Sequence, residues 1–123
     1  MFLANQVIEQ FRRDEFAPAA RQFYDAAKLR PTEARPWTEL GDMLYSMGDF
    51  PQALTAFDNA LKTGDNSAGI HFLRAIILDK LRQLKPAKES YERFLALSGG
   101  KNPNQEFQAR QRVRILQREI DKR

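Results

Sequence analysis

The sequence predicts an all-α protein built from repeated pairs of antiparallel helices. Three segments recur along the chain, each opened by an aromatic residue or leucine and carrying small and aromatic residues at fixed places. Equivalent residues are 34 apart throughout: Ala19, Ala53 and Ala87; Phe23, Phe57 and Tyr91; Ala26, Ala60 and Phe94. A constant period of this length is typical of helical repeats, in which each repeat buries its apolar face against the next.

The middle repeat carries the most complete pattern. It consists of Trp37, Leu40, Gly41, Leu44, Tyr45, Gly48, Phe50, Ala53, Phe57 and Ala60. We expect Gly41 and Ala53 to lie where the two helices of the repeat cross, because a larger side chain there would hold them apart. Gly48 suits a helix end that needs a left-handed backbone conformation.

Start signals for two helices are also present. Asp49, followed by Pro51 and Gln52, predicts an N-cap, a first-turn proline and a capping box. Asn102 and Gln105, with Pro103 between them, predict the same arrangement at the start of a last helix. The whole pattern predicts helices over 2–13, 16–29, 35–47, 50–62, 68–82 and 86–97, and this further helix within 102–123.

The repeat resembles the tetratricopeptide repeat (TPR), and the resemblance covers roughly residues 1–100. It implies a right-handed α-solenoid of three antiparallel helix pairs, at about 1–33, 34–67 and 68–101, closed by a seventh, capping helix. The outer repeats depart from the pattern. Leu3 and Val7 in the first, and His71 and Ala75 in the third, stand where the middle repeat has tryptophan and glycine.

The last helix is amphipathic. Its apolar residues recur at helical spacing on one side, and arginines cover much of the rest. These apolar residues are Ala109, Val113, Leu116 and Ile120. Because the third repeat has no successor, we expect this helix to cover the exposed apolar face of that repeat.

Composition argues against catalysis and against a metal or cofactor site. The chain has no cysteine and one histidine, which excludes thiol chemistry, thiolate metal sites and multi-histidine sites. We interpret His71 as a packing substitute for tryptophan, and the glycines at 99 and 100 as a turn instead of a phosphate loop. No apolar run approaches the ~20 residues that span a bilayer. We therefore predict neither an enzyme nor a transmembrane protein.

The resemblance implies a binding groove lined by the first helix of each repeat. By position, the candidate groove residues are Ile8, Phe11, Glu15, Asp42, Tyr45, Asp49, Phe72, Ile76 and Asp79. Apolar anchors beside carboxylates suit a peptide with hydrophobic and basic residues. The carboxylate clamp of chaperone-binding TPR domains is absent, since its positions hold Ala4, Ile8, Glu39, Gly69 and Leu73. The leading hypothesis is a non-catalytic protein-interaction module or adaptor.

Two alternatives stay open at this point. Residues 34–67 carry a net charge of −3 and residues 68–123 one of +7, so the basic C-terminal half could bind nucleic acid or an anionic surface. Interspersed carboxylates and a lack of aromatics among the arginines argue against nucleic acid. Alternatively, Phe107 and Ile115, off the apolar stripe of the last helix, could serve self-association. We expect a cytoplasmic location, or a periplasmic one if the chain is a fragment of an exported protein.

Overall fold

The computed structural model describes residues 17–123 and is all-helical over that range. Its helices are α1 (Ala17–Leu29), α2 (Ala34–Ser46), α3 (Phe50–Lys62), α4 (Ala68–Lys80), α5 (Leu84–Ser98) and α6 (Pro103–Asp121). The chain divides into two compact units, Met1–Asp65 and Asn66–Arg123. The helix predicted over 2–13 lies outside the described residues.

In the first unit, α2 packs against both α1 and α3. Leu44 and Phe57 have no exposed surface, and Trp37 and Leu40 are nearly as buried. Gly41 lies where the sequence predicts a close helix crossing. A Cβ atom placed on Gly41 would come within 2.6 Å of the Phe57 ring carbons Cδ1 and Cε1. The absence of a side chain at this position is therefore what lets the phenyl ring reach the α2 backbone.

The register of α1 differs from the prediction by one residue. Its buried residues are Ala20, Tyr24 and Ala27, whereas Phe23 and Ala26 are only partly buried. Counted from its first residue, each of these buried positions matches a buried residue of α3: Ala53, Phe57 and Ala60. Equivalent residues of α1 and α3 are thus 33 apart, and those of α3 and α5 are 34 apart. The difference arises because four residues join α1 to α2 whereas five join α3 to α4.

The second unit consists of α4, α5 and α6, with α5 packed against both of the others. Ala75, Ile77, Ala87 and Phe94 form the centre of the α4–α5 packing and are almost fully buried. The last helix turns its predicted apolar stripe inward. Ala109 and Leu116 are fully buried, and Val113 and Ile120 are partly buried.

Asp49 and Asn102 are the N-cap residues of α3 and α6, and a proline lies in the first turn of each helix, as predicted, but the N-cap side chains do not bond as a capping box requires. The side chain of Asp49 makes no capping hydrogen bond to α3, and that of Asn102 makes none to α6. At α6 the carboxylate of Glu106, and not the amide of Gln105, reaches back to the start of the helix. Glu106 Oε2 accepts the backbone N–H of Asn102 at 3.1 Å and a hydrogen bond from the Ser98 hydroxyl.

Candidate binding surface

Three residues form a stripe along the exposed side of α2, and two of them are predicted groove residues. Thr38, Asp42 and Tyr45 are four and three residues apart, which places them on the same helix face. The Thr38 hydroxyl donates a 2.6 Å hydrogen bond to Asp65 Oδ2 beyond the end of α3. Tyr45 is half-buried, and its ring lies edge-on to Phe50 with centroids 5.7 Å apart. The stripe therefore combines a held aromatic ring with carboxylates.

The electrostatics of this stripe are set by three carboxylates. Partial burial raises the pKa of Asp42 above its usual value, and the negative charges of Asp65 and Glu39 raise it further. Glu39 accepts a 2.7 Å hydrogen bond from the Nε atom of Arg35, an exposed pair that contributes little stability. Asp42 is thus only partly buried, and it keeps an accessible surface on the helix. A cation brought to this stripe would relieve the repulsion that raises the pKa of Asp42.

Asp49, a further predicted groove residue, follows α2 and directly precedes α3. It is partly buried, and its backbone N–H donates to the carbonyl of Leu44 at 2.9 Å, closing the end of α2. Gly48 before it has φ = 80°, as the left-handed turn predicted there requires. Asp49 thus follows the α2 stripe in the sequence, and the turn between α2 and α3 fixes its position.

Phe72, predicted to line a groove, lies inside the second unit instead. It is 7% exposed, and its ring packs against Phe94 at 4.8 Å and Tyr91 at 6.4 Å between centroids. The physical reason is that Phe94 takes the place of the alanine found in the two earlier repeats, and the two phenyl rings bury each other. Phe72 therefore belongs to the core of this unit and offers no exposed anchor.

Asp79, another predicted groove residue, is held by side chains of the same unit. Arg112 of α6 donates to both of its carboxylate oxygens, from Nε at 2.7 Å and from Nη2 at 2.8 Å. The hydroxyl of Tyr91 donates to Asp79 Oδ2 at 3.0 Å. Burial and the adjacent Asp79 charge raise the pKa of Tyr91, and the hydrogen bonds to Asp79 raise that of Arg112. The carboxylate is thus committed to an internal network.

Ile76, the remaining predicted groove residue of α4, is partly accessible, and its apolar side chain takes part in no polar network. Ile8, Phe11 and Glu15 lie outside the described residues, so their predicted place in a groove stays a prediction. Among the described candidates, Asp42 is exposed and Tyr45 is half-buried, and the two share one face of α2.

The sequence pattern alone places Arg112 among the exposed arginines of the last helix, whereas in the structure its side chain binds Asp79. A signal for its position is nevertheless present in the sequence. Arg112 is three residues after Ala109 and four before Leu116, so it shares the buried side of α6. Its side chain is 30% exposed, and that of Asp79 is 13% exposed.

His71 occupies the position predicted for it as a packing residue. It is 8% exposed, and its Nε2 lies 2.8 Å from Asn66 Oδ1. Across residues 17–123, histidine and carboxylate side chains form no group of three or more that could hold a metal ion. Within the same range, every helix is too short or too polar to cross a membrane.

Comparison with known proteins places the fold. No family model and no curated protein sequence matches this chain. Among solved structures, PcrH in complex with the chaperone binding region of PopD superimposes with a TM-score of 0.72 and 19% identity, over 96% of this chain and 90% of that one. The Yersinia enterocolitica type III secretion chaperone SycD, in complex with a peptide of the translocator YopD, gives 0.73 and 14%, over 96% and 92%.

A TPR domain shows the same likeness. The TPR2B domain of yeast Sti1, in a complex with pHsp70, matches with a TM-score of 0.67 and 14% identity, over 97% of this chain and 99% of that one. At these identities the likeness concerns the fold. The chain therefore has the TPR-type helical-repeat fold that the sequence predicts.

Proposed function

We propose that this chain is a non-catalytic protein-binding module that holds a peptide segment of its partner on the exposed face of α2. The observation that carries the proposal is the stripe described above, where Tyr45 lies one helical turn from Asp42 among carboxylates that raise the pKa of Asp42. Apolar contact with Tyr45 and charge pairing with Asp42 suit a segment with a basic residue next to an apolar one.

The solved structures of similar fold support a binding role without defining the partner. PcrH and SycD are seen with segments of PopD and YopD, and Sti1 TPR2B is seen with pHsp70. These partners differ from one another, so the shared fold supports peptide binding as a class and leaves specificity to the residues of each surface.

The residues of α2 and α4 argue against recognition of a chaperone tail through a carboxylate clamp. At the described clamp positions stand Glu39, Gly69 and Leu73, none of which donates a hydrogen bond from its side chain. Glu39 would repel a terminal carboxylate. We therefore propose a ligand that is basic, not acidic, at the α2 face.

Selection from a random-peptide phage library tests this proposal. We expect enriched peptides in which Lys or Arg lies within a few residues of an aromatic or aliphatic side chain. Their binding should weaken by about tenfold or more in the double variant Asp42→Lys/Tyr45→Ala. A matched control is Asp25→Lys/Phe107→Ala, which reverses one exposed carboxylate and truncates one exposed aromatic residue elsewhere.

The control double variant should bind the selected peptides as the wild type does. Thermal melts of both variants establish that each is folded. Peptides that bind wild type and the Asp42→Lys/Tyr45→Ala variant equally well would overturn the proposed surface. A selection that enriches no common pattern would overturn the proposed function itself.

A further inference from the structure

A cleft in the second unit lies apart from the α2 face in the chain and has the opposite charge. Its volume is about 490 Å³, and it opens where the turn between α4 and α5 meets the C-terminal end of α6. Its walls are both apolar and basic. The apolar lining residues are Leu84, Pro86 and Ile120, and the basic ones are Arg82, Lys85 and Arg123.

The cleft remains positively charged when the ion pair made by one of its arginines is taken into account. Arg82 Nη2 lies 2.7 Å from Glu119 Oε2, so one of the three cations is neutralised. No lining side chain is acidic, so the side chains of Lys85 and Arg123 are the cations that a ligand would meet in the cleft. The N-terminus of α5 adds to it, because Leu84 and Lys85 are the first two residues of that helix and first-turn N–H groups have no intrahelical acceptor.

Arg82 adopts a backbone conformation that is unusual for its residue type. Its φ is 61°, and it is the only non-glycine residue with positive φ among residues 17–123. The equivalent turn after α2 uses Gly48, 34 residues earlier, which accepts this conformation without steric cost. An arginine in this conformation is strained because its Cβ atom approaches the backbone carbonyl oxygen. The N–H of Gln83 donates to the carbonyl of Leu78 at 2.9 Å and closes this turn, and Arg82 is one of the residues that line the cleft.

We propose that this cleft binds an acidic peptide segment in which Asp or Glu lies next to an apolar side chain. The carboxylate would pair with Lys85 and Arg123, and the apolar side chain would lie against Leu84 and Ile120. A peptide fits these walls better than a nucleic acid does, because no aromatic residue lines the cleft for base stacking. This cleft belongs to the second unit, whereas the α2 face, which we propose takes basic segments, belongs to the first.

Fluorescence anisotropy with defined peptides tests the proposal. The probe is a fluorescein-labelled ten-residue peptide with a Leu-Glu-Leu-Glu core between Gly-Ser flanks. Two comparison peptides carry Leu-Gln-Leu-Gln and Ser-Glu-Ser-Glu cores. We expect the probe to bind the full chain about tenfold more tightly than either comparison peptide, because only the probe has both chemical features.

Charge-matched double variants locate the binding. Lys85→Glu/Arg123→Glu should weaken probe binding by about tenfold or more, whereas Arg93→Glu/Arg114→Glu, with the same change in net charge on exposed residues outside the cleft, should change it less than about twofold. The Asp42→Lys/Tyr45→Ala variant should bind the probe as the wild type does, which separates this proposal from the one for α2.

Three results would overturn the proposal. Equal weakening in the two charge-matched variants would show diffuse attraction to the basic unit and no defined site. Heparin binding that exceeds probe binding and falls equally in both variants would show a general polyanion surface. Failure of the probe to bind any form of the chain at physiological salt would likewise contradict a peptide site in this cleft.

Discussion

Arg112 of α6 donates two hydrogen bonds to Asp79 of α4, at 2.7 and 2.8 Å. The pair joins the last helix to the first helix of its unit, and Tyr91 of α5 donates to the same carboxylate. All three helices of the unit thus meet at one partly buried carboxylate. Because Leu116 and Ala109 are also fully buried, α6 is attached by apolar packing and by a specific polar contact.

Replacing Arg112 with alanine should destabilise the second unit. The change leaves the Asp79 carboxylate, 13% exposed, without its charged donor, and a hydrogen bond to a charged group contributes about 1.5–3 kcal/mol. We expect the free energy of unfolding, measured by urea denaturation, to fall by about 2–3 kcal/mol. Arg114→Ala, on the exposed side of α6, should change it by less than about 0.5 kcal/mol. Equal effects of the two substitutions would contradict a structural role for the Arg112–Asp79 pair.

Gly41 should tolerate no side chain. A Cβ atom there meets the Phe57 ring at 2.6 Å, and overpacking of this kind costs about 1–3 kcal/mol. Gly41→Leu should therefore lower the midpoint of thermal unfolding followed by circular dichroism. Gly69→Ala provides the control, because its Cβ would have no neighbour within 4 Å and alanine favours the helix. An unchanged melting temperature for Gly41→Leu would show that the two helices are not in close contact at this point.

Phe72 should behave as a core residue. Its ring is 7% exposed and packs on Phe94, so truncation to alanine removes buried contacts and leaves a cavity. We expect Phe72→Ala to reduce the free energy of unfolding by about 3–5 kcal/mol in urea denaturation. Leu97→Ala, at a residue 39% exposed on α5, is the control and should cost much less. A stable Phe72→Ala variant that loses peptide binding would restore Phe72 as an anchor of the predicted groove.

Glu106 should make the stability of the second unit depend on acid pH. The hydrogen bond from the Ser98 hydroxyl, and then that from the Asn102 N–H, hold the pKa of Glu106 below its usual value. The stabilisation is therefore complete above the unfolded-state pKa of about 4.3 and is lost as the pH falls through the lower folded-state pKa. Melting temperatures of the wild type and Glu106→Gln should differ at pH 7, and the difference should shrink steadily as the pH is lowered below the unfolded-state pKa of about 4.3. A difference that stays constant over this range would mean that ionisation of Glu106 does not contribute.

The helices could be predicted closely, because their patterns are local. The predicted helix over 50–62 coincides with α3, and the other described helices start and end within a few residues of their predicted bounds. The register of α1 could not be assigned. Ala19, Phe23 and Ala26 fit the same small–aromatic–small spacing as Ala20, Tyr24 and Ala27, and choosing between them requires the length of the following loop.

The site residues were harder to predict because their role depends on neighbours that are distant in sequence. Position alone marks Phe72 as groove-facing, yet Phe94, 22 residues later, turns it into a core residue. In the same way, the sequence predicts an exposed carboxylate at Asp79, whereas in the structure Arg112, 33 residues away, binds it. The shared helix face of Asp42 and Tyr45 follows from their spacing in α2 alone, whereas the effect of Asp65 on the pKa of Asp42 depends on a residue 23 positions later.

We propose that the exposed face of α2 holds a partner peptide. The most direct measurement is the mapping of amide chemical-shift changes in the ¹⁵N-labelled chain during titration with a peptide selected on the wild type. We predict that the largest changes fall at Thr38, Asp42 and Tyr45 and that they disappear in the Asp42→Lys/Tyr45→Ala variant. Changes that instead concentrate on the exposed arginines of α6, and persist in that variant, would contradict the account.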